Sequence, residues 1–217
     1  AKETIKFIKS KKWNSAMKSA EKVKDKNFRT LITWMYLKTS GNSATFNDYK
    51  TFIEKNSDYP RINRIKYLAE QKIYLKNSSP TSVINWFQKN PPLGGLGKIK
   101  LAEALLEQDK TDEVKNLVKE AWVTAEIRKN DLGYYRAKFK KFLTEDDHLK
   151  RTDYLAWERK YWDVRRMLKY LPKDERALYN ARQILMSNSY GVDNAISKVP
   201  NHLKKDPGLE YDRLRWR

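Results

Sequence analysis

The sequence predicts an all-α fold, a superhelical array (solenoid) of short antiparallel helix pairs, TPR-like but without a strict repeat. Three observations point there. Apolar residues recur at spacings of three and four rather than two. The polar punctuation between those stretches carries helix-start chemistry. Glycine and proline number only seven each in 217 residues, too few for a chain of many short strands and turns. With 40% apolar residues, seven Trp and thirteen Tyr, the chain has ample large apolar surface to bury, which excludes wholesale disorder.

Along the chain, Lys12-Trp13 precedes Ala16 and Ala20, a helix opened by an aromatic. Gly41 stands where a helix would stop on a left-handed residue. Thr45 to Asp48 resembles a capping box, with a short acid in place of Glu or Gln. Ile62, Ile65, Ala69 and Ile73 form the next apolar stripe. Ser79-Pro80 offers a cap followed by a proline at the first helical position, where its missing N–H costs nothing. Pro91-Pro92 and Gly94-Gly95 end the helix that contains Trp86 and Phe87. Val114, Leu117, Val118, Ala121, Trp122 and Ala125 share one helix face.

Thr144 to Asp147 repeats the capping box, and Tyr161-Trp162 before Met167 and Leu168 echoes the aromatic opening at Trp13. Ala177, Leu178, Ala181, Ile184 and Leu185 form a further stripe, Gly191 marks a second helix stop, and Asp206-Pro207 starts the last helix. Helices are thus expected to begin near 45, 80, 144 and 207, within a set of about a dozen. Hairpins that each leave an apolar face uncovered gain stability by stacking, which predicts the solenoid. No linker divides residues 1–217, so a single helical domain is expected, a fragment of a longer protein.

Net charge is +19, a field that attracts nucleic acid, anionic headgroups or acidic polymers without naming any of them. The same lysines also suit solvated helix faces. There is no cysteine, which excludes disulfides, thiolate zinc sites and thiol catalysis. No apolar run reaches the roughly 18–20 residues that span a bilayer, and AKETIKFIKSKKW lacks a signal-peptide core.

No catalytic, cofactor-binding or metal-ligating set emerges. The two histidines, His148 and His202, accompany no nucleophile signature, and His148 reads as a structural hydrogen-bonding residue near the start of its helix. Glu145, Asp146 and Asp147 read as negative charge favourably placed at a helix N-terminus, with no second ligand pair for a metal. Glu126 follows an apolar stripe, a place open to partial burial, but a salt bridge to a neighbouring arginine is its expected fate. Gly94-Gly95-Leu96-Gly97 follows no strand and so is not a dinucleotide fingerprint. Aromatics interleaved with basic residues in RKYWDVRRMLKYL and YDRLRWR have the composition to stack on bases or sugars, but at helical spacing they are read as wedges between helices.

Four stretches together resemble one family: WMYLKTSGNSATFNDYKTFIEKNSDYPRINRIKYLAE from Trp34, WFQKNPPLGGLGKIKLAEALLEQ from Trp86, LTEDDHLKRTDYLAWERKYWDVRRML from Leu143, and VPNHLKKDPGLEYDRLRWR from Val199. They resemble, in that family's order, the N-terminal superhelical domain of soluble lytic murein transglycosylases, over the chain from about Phe28 to Arg217. The resemblance implies a periplasmic parent protein whose helical arm carries a lysozyme-like domain. That domain cleaves peptidoglycan between N-acetylmuramic acid and N-acetylglucosamine without hydrolysis, leaving 1,6-anhydromuramic ends. The family's acid/base is a glutamate followed by serine, with a glycine-rich stretch ending in Met-Gln downstream. This sequence has no Glu-Ser pair, so that role is carried over to no residue here.

The expectation is a non-catalytic scaffold that meets peptidoglycan through an attached catalytic domain. An acidic polymer or protein is a possible further partner, and nucleic acid is disfavoured. The competing expectation is a helical-repeat module that binds an acidic protein segment or nucleic acid.

Overall fold

The computed structural model describes residues 1–187 and 190–217, and among them every regular element is helical. Contacts gather the chain into two compact units. The first comprises Ala1–Ser79 and Asn85–Leu93, the second Pro80–Ile84 and Gly94–Arg217.

The first unit holds α1 (Lys2–Lys9), α2 (Trp13–Glu21), α3 (Lys26–Lys38), α4 (Phe46–Lys55) and α5 (Ile62–Glu70), and α6 (Pro80–Lys89) contributes residues to both units. Its helices pack mostly on their chain neighbours, α1 on α2, α2 on α3 and α4 on α5, with α5 also meeting α3. The loop between α3 and α4 is fastened from inside. Gly41 adopts the left-handed φ of +71° that glycine tolerates. Asn42 Nδ2 then donates to the carbonyls of Leu37 (3.1 Å) and Thr39 (2.9 Å), while its Oδ1 accepts from Ala44 N–H at 3.0 Å. Tyr49, 1% exposed, donates its hydroxyl to Leu37 O at 2.6 Å. The carbonyls freed at the end of α3 thus find side-chain partners.

The second unit holds α7 (Gly95–Leu106), α8 (Thr111–Thr124), α9 (Lys129–Lys138), α10 (Glu145–Trp157), α11 (Tyr161–Met167), α12 (Lys173–Met186), α13 (Val192–Ser197) and α14 (Pro207–Trp216). Short 3-10 turns lie at Leu168–Tyr170 and Asn201–Leu203. Besides hairpin partners, α8 packs on α10, α10 on α12 and α12 on α14. The stripe expected from Val114 to Ala125 is the core here. Val114, Val118, Ala121 and Trp122 are all fully buried, and Leu117 is half-buried. Gly95 lets α7 close on the end of α8, because a Cβ there would stand 2.7 Å from Ala125 N and 2.8 Å from Thr124 Oγ1.

Helix starts fall where the caps placed them. Thr45 and Thr144 both form complete capping boxes with Asp48 and Asp147, α6 begins at Pro80, and Asp206 accepts from Leu209 N–H at 2.8 Å. Gly191 differs from its expected role. At φ +86° it directly precedes and opens α13, while α12 is capped by Ser187.

The echo at Trp13 and Tyr161 belongs to a repeated turn. Lys11, Asp109 and Arg159 are all left-handed, at φ 56°, 57° and 54°. Each is followed by a lysine that caps the next helix, Lys12, Lys110 or Lys160, with φ near −80° and ψ between 58° and 69°. The hydrogen bonds match as well. Lys12, Lys110 and Lys160 N–H donate to Phe7, Leu105 and Leu155 O at 2.9, 3.1 and 2.9 Å, and the left-handed residues donate to Ile8, Leu106 and Ala156 O. This is a Schellman closure, and it builds the hairpins α1–α2, α7–α8 and α10–α11 alike.

Candidate functional site

A glycan-cleaving centre needs a carboxylic acid held in a cleft, so the buried acids come first. Four are buried among the described residues: Glu70, Glu103, Asp147 and Asp212. Each is engaged. Glu70 accepts from Leu93 N–H at 2.6 Å, and Asp147 accepts from Thr144 in the capping box, with Lys119 3.8 Å away. Glu103 accepts from the hydroxyls of Tyr134 (2.5 Å) and Tyr135 (3.2 Å), with Lys138 at 3.9 Å. Burial pushes the neighbouring Lys100 ammonium down to about 8, against the upward pull of Glu103 and Asp131.

Asp212 of α14 joins the most buried ionic node. Arg182 of α12, fully buried, donates from Nε to Asp212 at 2.9 Å and from an η nitrogen to Asp153 of α10 at 3.0 Å. Tyr179 donates to the same Asp153 oxygen at 3.0 Å, and the guanidinium lies 5.0 Å from the Trp157 ring centre. Burial pushes the Asp212 carboxyl up, and the adjacent arginines pull it back down. Gly208 completes the node, since a Cβ there would fall 2.2 Å from the Arg182 guanidinium carbon. Asp206-Pro207 starts α14 as the sequence placed it, and the glycine that follows leaves the space in which Arg182 sits.

The residues weighed from sequence separate in the structure. Glu126 is exposed and pairs at 3.7 Å with a lysine, Lys160, where an arginine was expected, and it is not partly buried. The helix bends into extended backbone at Ala125, which turns Glu126 outward. Asp146 pairs with Lys150 at 2.7 Å, and no group of His, Asp and Glu able to hold a metal occurs among the described residues. His202 is exposed, 3.8 Å from Asp174. His148 is buried between the rings of Trp122 (5.6 Å) and Tyr170 (5.8 Å), and its Nδ1 has no hydrogen-bond partner. It is held by packing rather than by the hydrogen bond expected. Burial and the nearby Arg136 push its imidazole below the usual histidine range.

The aromatic and basic residues of RKYWDVRRMLKYL do not all wedge between helices. Val164 and Met167 face the core, whereas Trp162 is 61% exposed. The α11 face carrying Trp162 opens on a cleft of about 1040 Å³ that α9, the Leu168–Tyr170 turn and the start of α12 also line. Its cations are Lys129, Arg165, Arg166, Lys169 and Arg176, and no acid lines it. Arg166 is paired with Asp163. Lys129, Arg165, Lys169 and Arg176 have no carboxylate within 4 Å among the described residues. Sequence reasoning missed this cleft because α9 and α12, far apart in the chain, supply its other walls.

Among the described residues no helix is long and apolar enough to cross a membrane. No protein-family model matches the chain, and neither a curated protein nor a solved structure matches it.

Proposed function

We propose that this chain is the non-catalytic helical arm of a soluble lytic transglycosylase, stacking its hairpins as a superhelix that positions a lysozyme-like domain on the glycan strands of periplasmic peptidoglycan. The observation that carries the non-catalytic part is the state of the buried acids. All four are tied to a cap, a backbone N–H, tyrosine hydroxyls or arginines, and none lines the basic cleft. A general acid for glycan cleavage needs a carboxyl poised in a cleft that substrate can enter.

The superhelical part is supported by the identical turn in three hairpins and by the succession α8, α10, α12, α14, each packed on the next. The glycan part is supported by the four motif stretches that resemble the family and by the cationic cleft with its open tryptophan. Such an arm contributes by holding the substrate near a reacting centre, a gain in proximity rather than in chemistry.

The test mixes this chain with purified peptidoglycan sacculi, measures co-sedimentation, and analyses the supernatant by mass spectrometry for anhydromuropeptides. Binding without product is expected, and product release is expected only when a lysozyme-like domain is joined to the chain. Anhydromuropeptides released by this chain alone would overturn the reading, as would a failure to sediment with sacculi at low salt.

A further inference from the structure

We infer that the cleft between α9, α11 and the start of α12 is a subsite for a saccharide bearing carboxylates, a sugar ring lying on Trp162 while the unpaired cations hold its acidic substituents. The inference rests on the peptidoglycan reading and makes it specific, because it assigns the residues that touch glycan.

Three features of the cleft converge on that ligand class. The first is an aromatic platform left open. Tyr161 meets the Trp162 ring edge-on at 4.8 Å and Arg165 lies 5.6 Å from its centre, yet 61% of the residue stays accessible. Leaving an indole in water forfeits the burial that Val164 and Met167 of the same helix achieve, and it keeps a flat apolar face available to a ligand. The second is uncompensated charge. Lys129, Arg165, Lys169 and Arg176 converge from four elements with no acid in the lining. Arg176 is held in place, since one η nitrogen donates to Leu171 O at 2.7 Å while the residue stays exposed. A planar guanidinium fixed in this way suits a carboxylate. The third is size, since about 1040 Å³ admits a disaccharide with a peptide branch.

A cleft of the first unit offers a contrast. At about 700 Å³ it is lined by Lys18, Lys26, Arg29 and Lys55 but also by Asp48, and its tyrosine, Tyr36, is only partly exposed.

A neutral sugar would use the platform and leave the cations idle, and a simple anion would use the cations and leave the platform idle. A carboxylated saccharide uses both. The test titrates the chain with a soluble disaccharide-peptide fragment of peptidoglycan, the same fragment with its carboxyl groups amidated, a neutral chito-oligosaccharide of equal length, an acidic peptide and a single-stranded oligonucleotide.

The expected result is binding of the acidic fragment, weakened about tenfold or more by amidation and by Trp162→Ala, the order of one lost aromatic platform. The Arg165→Glu/Lys169→Glu pair should weaken it similarly. All three positions are exposed, so thermal unfolding should be unchanged in every variant. If the fragment binds and the variants leave its affinity intact, the cleft assignment is overturned while the peptidoglycan reading stands. If the acidic peptide or the oligonucleotide binds through Trp162 and Arg165 and the saccharide does not, both fall.

Discussion

Arg182 shows how far one side chain can organise a helical unit. Its guanidinium bridges Asp153 on α10 and Asp212 on α14 from the middle of α12, and Gly208 leaves it the space. Removing one partner strands a buried charge, so Asp212→Ala should destabilise the protein by about 3 kcal/mol, read as a shift of the urea midpoint. Replacing both partners by apolar residues, Arg182→Met with Asp212→Leu, should recover most of that loss. Gly208→Ala should cost roughly 2–3 kcal/mol by driving a methyl into the guanidinium.

His148 adds a pH dependence of known sign. Its folded pKa lies below the unfolded value of 6.5, so above pH 6.5 both states are neutral and its contribution is complete. Below 6.5 the unfolded chain takes up a proton that the buried ring refuses, and stability falls until the folded pKa is reached. In His148→Phe, the unfolding free energy followed from pH 7 to pH 5 should be flatter than in the native chain.

At the scale of elements, the recurrent unit is a hairpin closed by a left-handed residue. Glycine is the usual occupant of that position, yet Lys11, Asp109 and Arg159 hold it here at a steric cost. Asp109 is exposed, and its backbone makes the closing bonds. Asp109→Gly should therefore stabilise the α7–α8 hairpin by about 0.5–1 kcal/mol, measurable in the same urea titration, whereas Asp109→Val should do the opposite. The capping box that starts α10 gives a second handle. Thr144→Ala should cost about 1 kcal/mol, and Thr144→Ser should leave stability nearly unchanged.

At the scale of the molecule, the charge of +19 is the dominant long-range property. If it draws the chain to an acidic glycan, raising sodium chloride from 50 to 300 mM should weaken sacculus binding at least about tenfold, since each released counterion steepens the salt dependence. A salt-insensitive affinity would assign binding to stacking alone. The aromatic stretch of α11 is hard to read from sequence for a reason that also belongs to this scale. Period three and four places Val164 and Met167 inward, but the same period does not say that Trp162 faces a cleft, because that cleft exists only once α9 and α12 flank α11.

What the sequence determined by itself is local: an all-helical chain, the starts at Thr45, Pro80, Thr144 and Pro207, and the buried stripe of α8. These follow from interactions within one or two turns, where hydroxyl caps, proline geometry and apolar spacing act through covalent neighbours. The absence of a Glu-Ser pair was equally legible. The tertiary structure alone decided which charges are buried and which stay open. Arg182 and Arg165 look alike in sequence, yet one is fully buried against two acids and the other lines an acid-free cleft. A charged side chain takes its environment from whatever helices fold around it, and those come from distant parts of the chain. For the same reason the sequence suggested an arginine partner for Glu126 where the fold supplies Lys160, and it left Glu103, between two tyrosine hydroxyls from α9, unremarked.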